Sequence, residues 1–135
     1  MNMIRGIDGI LLYSHDGRKL ADFYKEKVGL RLTSEIEMGN DKEVGFTFEM
    51  KNGFTLWIMD HSKIKGANIQ PERYMINFEV DNIQKEFDRM VKMGVKKIQD
   101  VYHVEGYGMI ATFEDSDGNY FQIVQIRPTE ESELN

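Results

Sequence analysis

Apolar and polar positions along this chain follow a pattern of one strand, one helix and then three further strands. Residues 5–14 alternate and predict a strand. Asp16 can cap a helix over residues 17–27, and Gly29 can end it. The three strands that follow are predicted near 30–38, 43–50 and 54–60, with Asn52-Gly53 as the hairpin turn between the last two.

The second part of the chain repeats this order. The predicted elements are a strand at 73–80, a helix at 82–93 that ends at Gly94, and strands near 96–102, 108–115 and 119–127, the last two joined at Asp117-Gly118. Thr47-Phe48-Glu49 matches Thr112-Phe113-Glu114 at a spacing of 65 (112 − 47), whereas Ile10 and Ile76 are 66 apart (76 − 10). One residue inserted in the first helical stretch would account for this difference.

The repeat predicts an α+β fold made of two tandem βαβββ units that form a curved mixed sheet around a cleft. We expect the first unit at residues 1–60, a linker at 61–72, the second unit at 73–127, and a disordered acidic tail at 128–135.

Composition excludes several classes of function. The 135 residues carry a net charge of −6 and show no basic stripe, so we expect no nucleic-acid partner. Cysteine is absent, which excludes disulfides and thiolate metal sites. No apolar run approaches the roughly 18 residues of a membrane span, and the N-terminus lacks the apolar stretch of a secretory signal. We therefore expect a cytoplasmic protein that is not embedded in a membrane.

Two segments resemble a known superfamily. Asp16 through Leu30, with Leu20, Phe23-Tyr24 and Gly29-Leu30, resembles the "D…FY…LGL" signature of the vicinal oxygen chelate superfamily. That superfamily includes glyoxalase I, extradiol dioxygenases and the bleomycin- and fosfomycin-resistance proteins. Residues 111–119 resemble its "F-x-DPDGN" element, with Ser116 in place of proline. The resemblance implies paired βαβββ modules, commonly a homodimer, and a small-molecule ligand in the cleft.

The resemblance also implies where a divalent metal would be held, namely by one side chain from the first and one from the last strand of each module. The matching positions are Gly9, Trp57, Met75 and Gln122. Glycine has no side chain, tryptophan only donates hydrogen bonds, and a thioether suits soft metals. One glutamine oxygen does not hold a hard cation. The sequence therefore predicts no metal and no cofactor.

Strand alternation predicts which side chains line the cleft. The expected ligand-binding residues are Leu11, Tyr13, Phe48, Trp57, Met59, Met75, Asn77 and Gln122. An aromatic, apolar surface with a few amides suits a flat organic ligand that is held by stacking and one or two hydrogen bonds. The alternative is that Trp57 and its neighbours only fill the space between the units.

Candidates for catalytic groups are few. His103 and Glu105 are two residues apart, so on a strand they would share a face and could act as an acid–base pair or bind a cation; the alternative is an exposed edge loop. Tyr13 and Glu79 are the other candidates. Ser14-His15-Asp16 is not a catalytic triad, because neighbours on an extended chain point to opposite faces.

Three functions therefore compete. The first is a metal-free small-molecule-binding protein like the bleomycin-resistance branch. The second is a metal-dependent lyase, isomerase or dioxygenase that uses a displaced ligand set such as His103, Glu105 and Gln122. The third is a metal-free enzyme with Tyr13, Glu79 or His103 as acid or base.

Overall fold

The computed structural model describes residues 3–38 and 43–127 of the chain. The chain divides into two compact units, residues 1–66 and 67–135, and the boundary lies inside the predicted linker. The predicted tail at 128–135 lies outside the described residues. Within the described ranges, no helix combines the length and the apolar character needed to cross a membrane.

The first unit is a four-stranded mixed sheet with one helix. Its elements are β1 (Gly9–Ser14), α1 (Gly17–Phe23), a π-helical turn (Tyr24–Val28), β2 (Leu32–Met38), β3 (Glu43–Glu49) and β4 (Thr55–Asp60). The strands lie in the order β1-β4-β3-β2. β1 is parallel to β4, and the other neighbours are antiparallel.

The second unit repeats this topology. Its elements are β5 (Ile76–Glu79), α2 (Ile83–Lys92), β6 (Lys96–Val104), β7 (Gly108–Glu114) and β8 (Tyr120–Gln125), after a short 3-10 turn at Pro71–Arg73. The strand order is β5-β8-β7-β6, with β5 parallel to β8. The prediction of an α+β fold with two βαβββ units is confirmed.

The predicted first strand begins four residues later than expected. β1 starts at Gly9 because its partner β4 starts at Thr55, and the parallel ladder has no earlier pair. The residues just before β4 belong to the hairpin turn, where the Met50 amide donates to the Phe54 carbonyl at 2.8 Å. The Asp8 carbonyl still accepts a hydrogen bond from the Thr55 amide at 3.3 Å, but residues 5–8 lie outside the ladder and adopt no regular structure.

The sheet of the first unit buries one of its faces beneath the helix. We call this face the helix face and the opposite one the open face. The buried side chains of the helix face are Leu12, Phe46, Phe48, Leu56 and Ile58. Arg18 of α1 lies 5.1 Å from the Phe46 ring centroid and pairs with Glu35 of β2. Hydrogen bonding to Glu35 and the charge of Glu35 raise the pKa of Arg18, so the guanidinium stays charged.

The sheet of the second unit likewise has a helix face and an open face. Its helix face is aromatic. Phe87 of α2 lies against Phe113, with 5.4 Å between ring centroids. Phe121 stacks on Phe113 at 5.8 Å and contacts Phe78 at 5.9 Å. The side chain of Gln125 accepts a hydrogen bond from the Ile83 amide at 2.8 Å, which fixes the start of α2 on the sheet.

The helices explain why the repeat spacing changes from 66 to 65. Asp16 and Asn82 cap the two helices, and each accepts a hydrogen bond at 3.1 Å from the amide three residues later. In the first unit, the Gly29 amide then bonds the Tyr24 carbonyl at 3.0 Å, five residues back, which closes a π-helical turn. That wider turn holds the one extra residue, and Gly29 ends it in the left-handed conformation with φ of 93°.

One buried carboxylate fixes the hairpin between β7 and β8. Asp115 accepts hydrogen bonds from the Asp117 amide at 2.8 Å, the Asn119 amide at 3.0 Å and the Asn119 side chain at 3.0 Å. Gly118 takes the positive φ of 81° that the turn requires. The Asn68 amide donates to the Asp117 carbonyl at 2.8 Å, so the segment before β5 is held against the same hairpin.

We expect Asp115→Ala to lower the free energy of unfolding by about 3 kcal/mol, because buried donors lose a charged acceptor. Urea denaturation of the full chain measures this change. Asp100→Ala is the matched control, since Asp100 is 67% exposed in its ion pair with Lys97 and should cost no more than about 0.5 kcal/mol. Equal losses in the two variants would contradict this account of the hairpin.

Candidate functional site

Four side chains form an apolar surface on the open face of the first sheet. Leu11 and Tyr13 of β1 lie opposite Trp57 and Met59 of β4 in the parallel ladder. Leu11 is 38% and Tyr13 45% exposed, and Trp57 and Met59 are half-buried. We call this set the Trp57 platform, and its members were all predicted from strand alternation.

The indole of Trp57 reaches across to the start of β1. A Cβ atom built at Gly9 would lie 2.7 Å from Cζ3 of Trp57 and 2.2 Å from the Thr55 carbonyl oxygen. Both distances are shorter than ordinary van der Waals contact, so a side chain at position 9 would collide with the ring and with the backbone. The six-membered ring of Trp57 therefore occupies the space that such a side chain would need.

This geometry bears directly on the metal site that the resemblance implies. Gly9 provides neither a donor atom nor room for one, and Trp57 fills the space beside it. Met75 contributes a thioether, and Gln122 contributes an amide that already bonds Thr112. The four positions therefore do not fit a hard divalent cation. Across residues 3–38 and 43–127, no group of three or more histidine, aspartate or glutamate side chains could hold a metal ion.

Phe48 does not belong to the Trp57 platform, and its predicted placement is wrong. Phe48 pairs with Leu56, the residue before Trp57, so its side chain points to the helix face. It is completely buried there. Thr47 is the residue of β3 that lies beside Trp57 on the open face.

The open face of the second sheet carries a row of polar side chains instead. Asn77 of β5 lies opposite Gln122 of β8, which lies opposite Thr112 of β7. Nε2 of Gln122 donates to the Thr112 hydroxyl at 3.1 Å. We call Asn77, Gln122 and Thr112 the polar row. Met75 directly precedes β5 and is half-buried.

Glu79, a candidate acid or base, has its charge balanced by an arginine. Nε and a terminal nitrogen of Arg127 both lie 2.6 Å from the same oxygen of Glu79. The sequence interpretation missed Arg127, which stands just after the last strand. This pairing disfavours Glu79 as a general base and as an anchor for a cationic ligand.

Tyr13, which stands 66 positions before Glu79 in the repeat (79 − 13 = 66), contacts a residue that directly follows β4. Its ring lies edge-on to His61, with 4.8 Å between ring centroids. The Nδ1 atom of His61 accepts a hydrogen bond from the Lys63 amide at 3.1 Å, so a neutral His61 carries its proton on Nε2. His61 was expected to be a solvated linker residue, but it is half-buried against Tyr13. The repeat spacing of 65 that holds after the helix relates His61 to Ile126 (126 − 61 = 65), so the repeat gives no signal for either contact.

His103 and Glu105 do not share a strand face. His103 pairs with Met109 in the ladder of β6 and β7, but β6 ends at Val104. Glu105 lies in the turn that follows, which is closed by the Tyr107 amide donating to the Val104 carbonyl at 3.0 Å. Both side chains are exposed, and neither hydrogen bonds to the other in the described chain. The strand ends before residue 105, so the shared face that the candidate pair needs is not formed, and Glu105 lies in an exposed turn, in agreement with the alternative of an exposed edge loop.

His15 is exposed and stands beside the residues that organise the start of α1. The buried Ser14 hydroxyl accepts a hydrogen bond from the Asp16 amide at 2.9 Å, and Asp16 in turn caps the helix. These bonds give Ser14 and Asp16 structural roles, as the rejection of a Ser-His-Asp triad anticipated.

We expect Thr112→Val to lower the free energy of unfolding by about 1 kcal/mol, because the Gln122 amide loses its acceptor. The matched control is Thr47→Val, the equivalent position in the first unit, where no hydrogen bond of the side chain is found within the described residues. Denaturant midpoints measure both changes. A loss at Thr47 as large as that at Thr112 would contradict the assigned bond.

Comparison with known proteins agrees with this architecture. The family model of the Glyoxalase/Bleomycin resistance protein/Dioxygenase superfamily matches residues 6–123. The uncharacterized protein YetH of Bacillus subtilis (strain 168) is 26% identical over 119 residues, which cover 88% of this chain and 97% of that protein.

Solved structures show the same fold. TnmS3, an antibiotic binding protein from Streptomyces sp. CB03234, superposes with a TM-score of 0.72 at 20% identity and covers 94% of this chain and 100% of its own. A glyoxalase I variant from Zea mays gives a TM-score of 0.76 at 17% identity, over 90% of this chain and 45% of its own. The chain belongs to the Glyoxalase/Bleomycin resistance protein/Dioxygenase superfamily.

Proposed function

We propose that this protein is a metal-free small-molecule-binding protein of the glyoxalase/bleomycin-resistance type, which holds an aromatic or apolar ligand against the Trp57 platform. The single observation that carries the proposal is the position of the Trp57 ring over Gly9. It puts a stacking surface where the metal-dependent members would need a chelating side chain.

The exposure of the platform supports a ligand-binding role. Leu11 and Tyr13 leave more than a third of their surface accessible on a face where Trp57 and Met59 are also within reach. Covering such apolar surface contributes about 25 cal/mol per Å². Aromatic stacking contributes a further 0.5–1.5 kcal/mol or so.

The polar row offers hydrogen-bonding groups on the open face of the second sheet. Asn77 is exposed, and Gln122 uses one of its two N–H groups on Thr112, so its carbonyl oxygen remains an acceptor. We therefore retain Met75, Asn77 and Gln122 among the proposed ligand-binding residues. A planar antibiotic or aromatic metabolite with amide or hydroxyl substituents has this chemistry.

Among the structural neighbours, TnmS3 supports the binding class. It is described as an antibiotic binding protein, and its chain matches this one over its full length. At 20% identity the likeness concerns the fold, so it names the kind of ligand to test first and assigns none. The proposal includes the homodimer that the resemblance implies and the cytoplasmic location that the composition led us to expect.

We expect purified protein to retain no stoichiometric divalent metal, because the four implied positions lack a hard-cation donor set. Elemental analysis after dialysis against a buffer free of chelators measures manganese, iron, nickel and zinc together. Retention of one such metal per chain would contradict the metal-free proposal and favour the metal-dependent lyase, isomerase or dioxygenase.

A thermal-shift screen with planar antibiotics and aromatic metabolites tests binding itself. We expect Trp57→Ala to weaken any hit by about tenfold or more, which corresponds to ~1.4 kcal/mol of lost stacking and contact. Tyr107→Ala is the control, because Tyr107 is an aromatic side chain, 46% exposed, in the turn after β6 of the second unit and is not a member of the platform. A screen without hits, or hits that are equally strong in Trp57→Ala, would overturn the proposal.

A further inference from the structure

We propose that Gly9 is a positioning residue, whose missing side chain holds the Trp57 indole over the start of β1 and thereby restricts the ligand to planar aromatic molecules that stack on this ring. The statement about the ligand rests on the proposed function. The packing of the Trp57 ring over Gly9 does not depend on any ligand.

The direction of the indole is the first support. In the parallel ladder, Trp57 lies directly opposite Leu11, and Gly9 lies opposite Thr55. The Trp57 ring nevertheless reaches Gly9, two residues towards the start of β1. The side chain therefore leans diagonally across the strand pair, and the space above Gly9 is what permits this orientation.

The two close approaches at Gly9 have different consequences. The Thr55 carbonyl belongs to the backbone of β4, which the sheet holds on both sides. The Trp57 ring can turn about its side-chain bonds, and such a rotation disturbs less than moving a hydrogen-bonded strand. A methyl group at position 9 would therefore displace the indole towards solvent, and β1 would also have to shift away from the Thr55 carbonyl.

The second unit provides an internal comparison. The counterpart of Gly9 is Met75 (75 − 9 = 66), and the counterpart of Trp57 is Gln122 (122 − 57 = 65). Where the first position carries a side chain, the second carries a slim amide that bonds sideways to Thr112. Within this chain, a ring at the second position thus occurs together with glycine at the first.

The protein contains a single tryptophan, so its fluorescence reports on Trp57 alone. We expect Gly9→Ala, measured at a temperature where circular dichroism shows it to be folded, to shift the emission of the full-length protein to longer wavelength and to increase quenching by acrylamide. The matched control is Ile10→Ala, which weakens β1 from the helix face opposite Leu56. It should leave emission and quenching unchanged. Unchanged emission in Gly9→Ala would overturn the positioning role.

Wild-type protein supplies a second test that does not depend on a variant that folds. Proton NMR should show nuclear Overhauser contacts between the Gly9 α-protons and the Hζ3 proton of the indole. The Gly9 α-proton shifts should also move towards ordinary values in Trp57→Ala. Absence of these contacts in the folded wild type would overturn the proposal.

The ligand statement is tested with proflavine, a planar tricyclic probe, and with cyclohexanol as a non-planar apolar probe, both by isothermal titration calorimetry. We expect proflavine alone to bind, and its affinity to fall by about tenfold in Gly9→Ala but not in Ile10→Ala. Equal binding of both probes, or proflavine binding that survives Gly9→Ala, would overturn the restriction to planar ligands. If neither probe binds wild type, the restriction to planar ligands is overturned, while the thermal-shift screen still decides the proposed function and emission and NMR still decide the role of Gly9.

Discussion

The close approach of strand β1 to strand β4 at Gly9 is the constraint on which the functional face of the first unit depends. The parallel ladder starts there, and the Thr55 carbonyl would lie 2.2 Å from any Cβ. Glycine is therefore required before any functional demand is considered. Because the position is bare, the Trp57 ring can cover it, and on the proposed function this ring is the stacking surface for the ligand.

The two units use one backbone plan for two kinds of surface. At equivalent positions the first open face presents Leu11, Trp57 and Thr47, and the second presents Asn77, Gln122 and Thr112. Their strand order and parallel pairing are the same. The helix faces of both units therefore keep an apolar core, whereas the side chains on the open faces differ between the two units.

Local signals in the sequence predicted most of the fold. Helix caps at Asp16 and Asn82 and turns at Asn52-Gly53 and Asp117-Gly118 depend on nearest neighbours, which a sequence shows directly. The errors concern relations between strands. The face on which Phe48 lies depends on how β3 registers against β4. The role of Glu105 depends on where β6 ends.

The sequence predicted which residues lie at the candidate site better than it predicted the contacts between their side chains. Alternation placed Leu11, Tyr13, Trp57 and Met59 on one face. The diagonal lean of the indole depends on a side-chain rotamer, and the pairing of Glu79 with Arg127 depends on the path of the chain beyond β8. Neither leaves a trace in residue spacing alone.

The π-helical turn at Tyr24–Val28 shows how one unit of a duplicated chain can be longer by one residue without a change in the strands that follow. A residue added to a strand would reverse the sides of all later side chains in it. A residue added within a helix widens one turn to a π-helical turn, and Gly29 then ends the helix before β2. The corresponding strands β3 and β7, and β4 and β8, accordingly remain a constant 65 positions apart (108 − 43 and 120 − 55). The helical segment is thus where the two units differ in length, whereas the hairpins of β3 with β4 and of β7 with β8 keep their spacing.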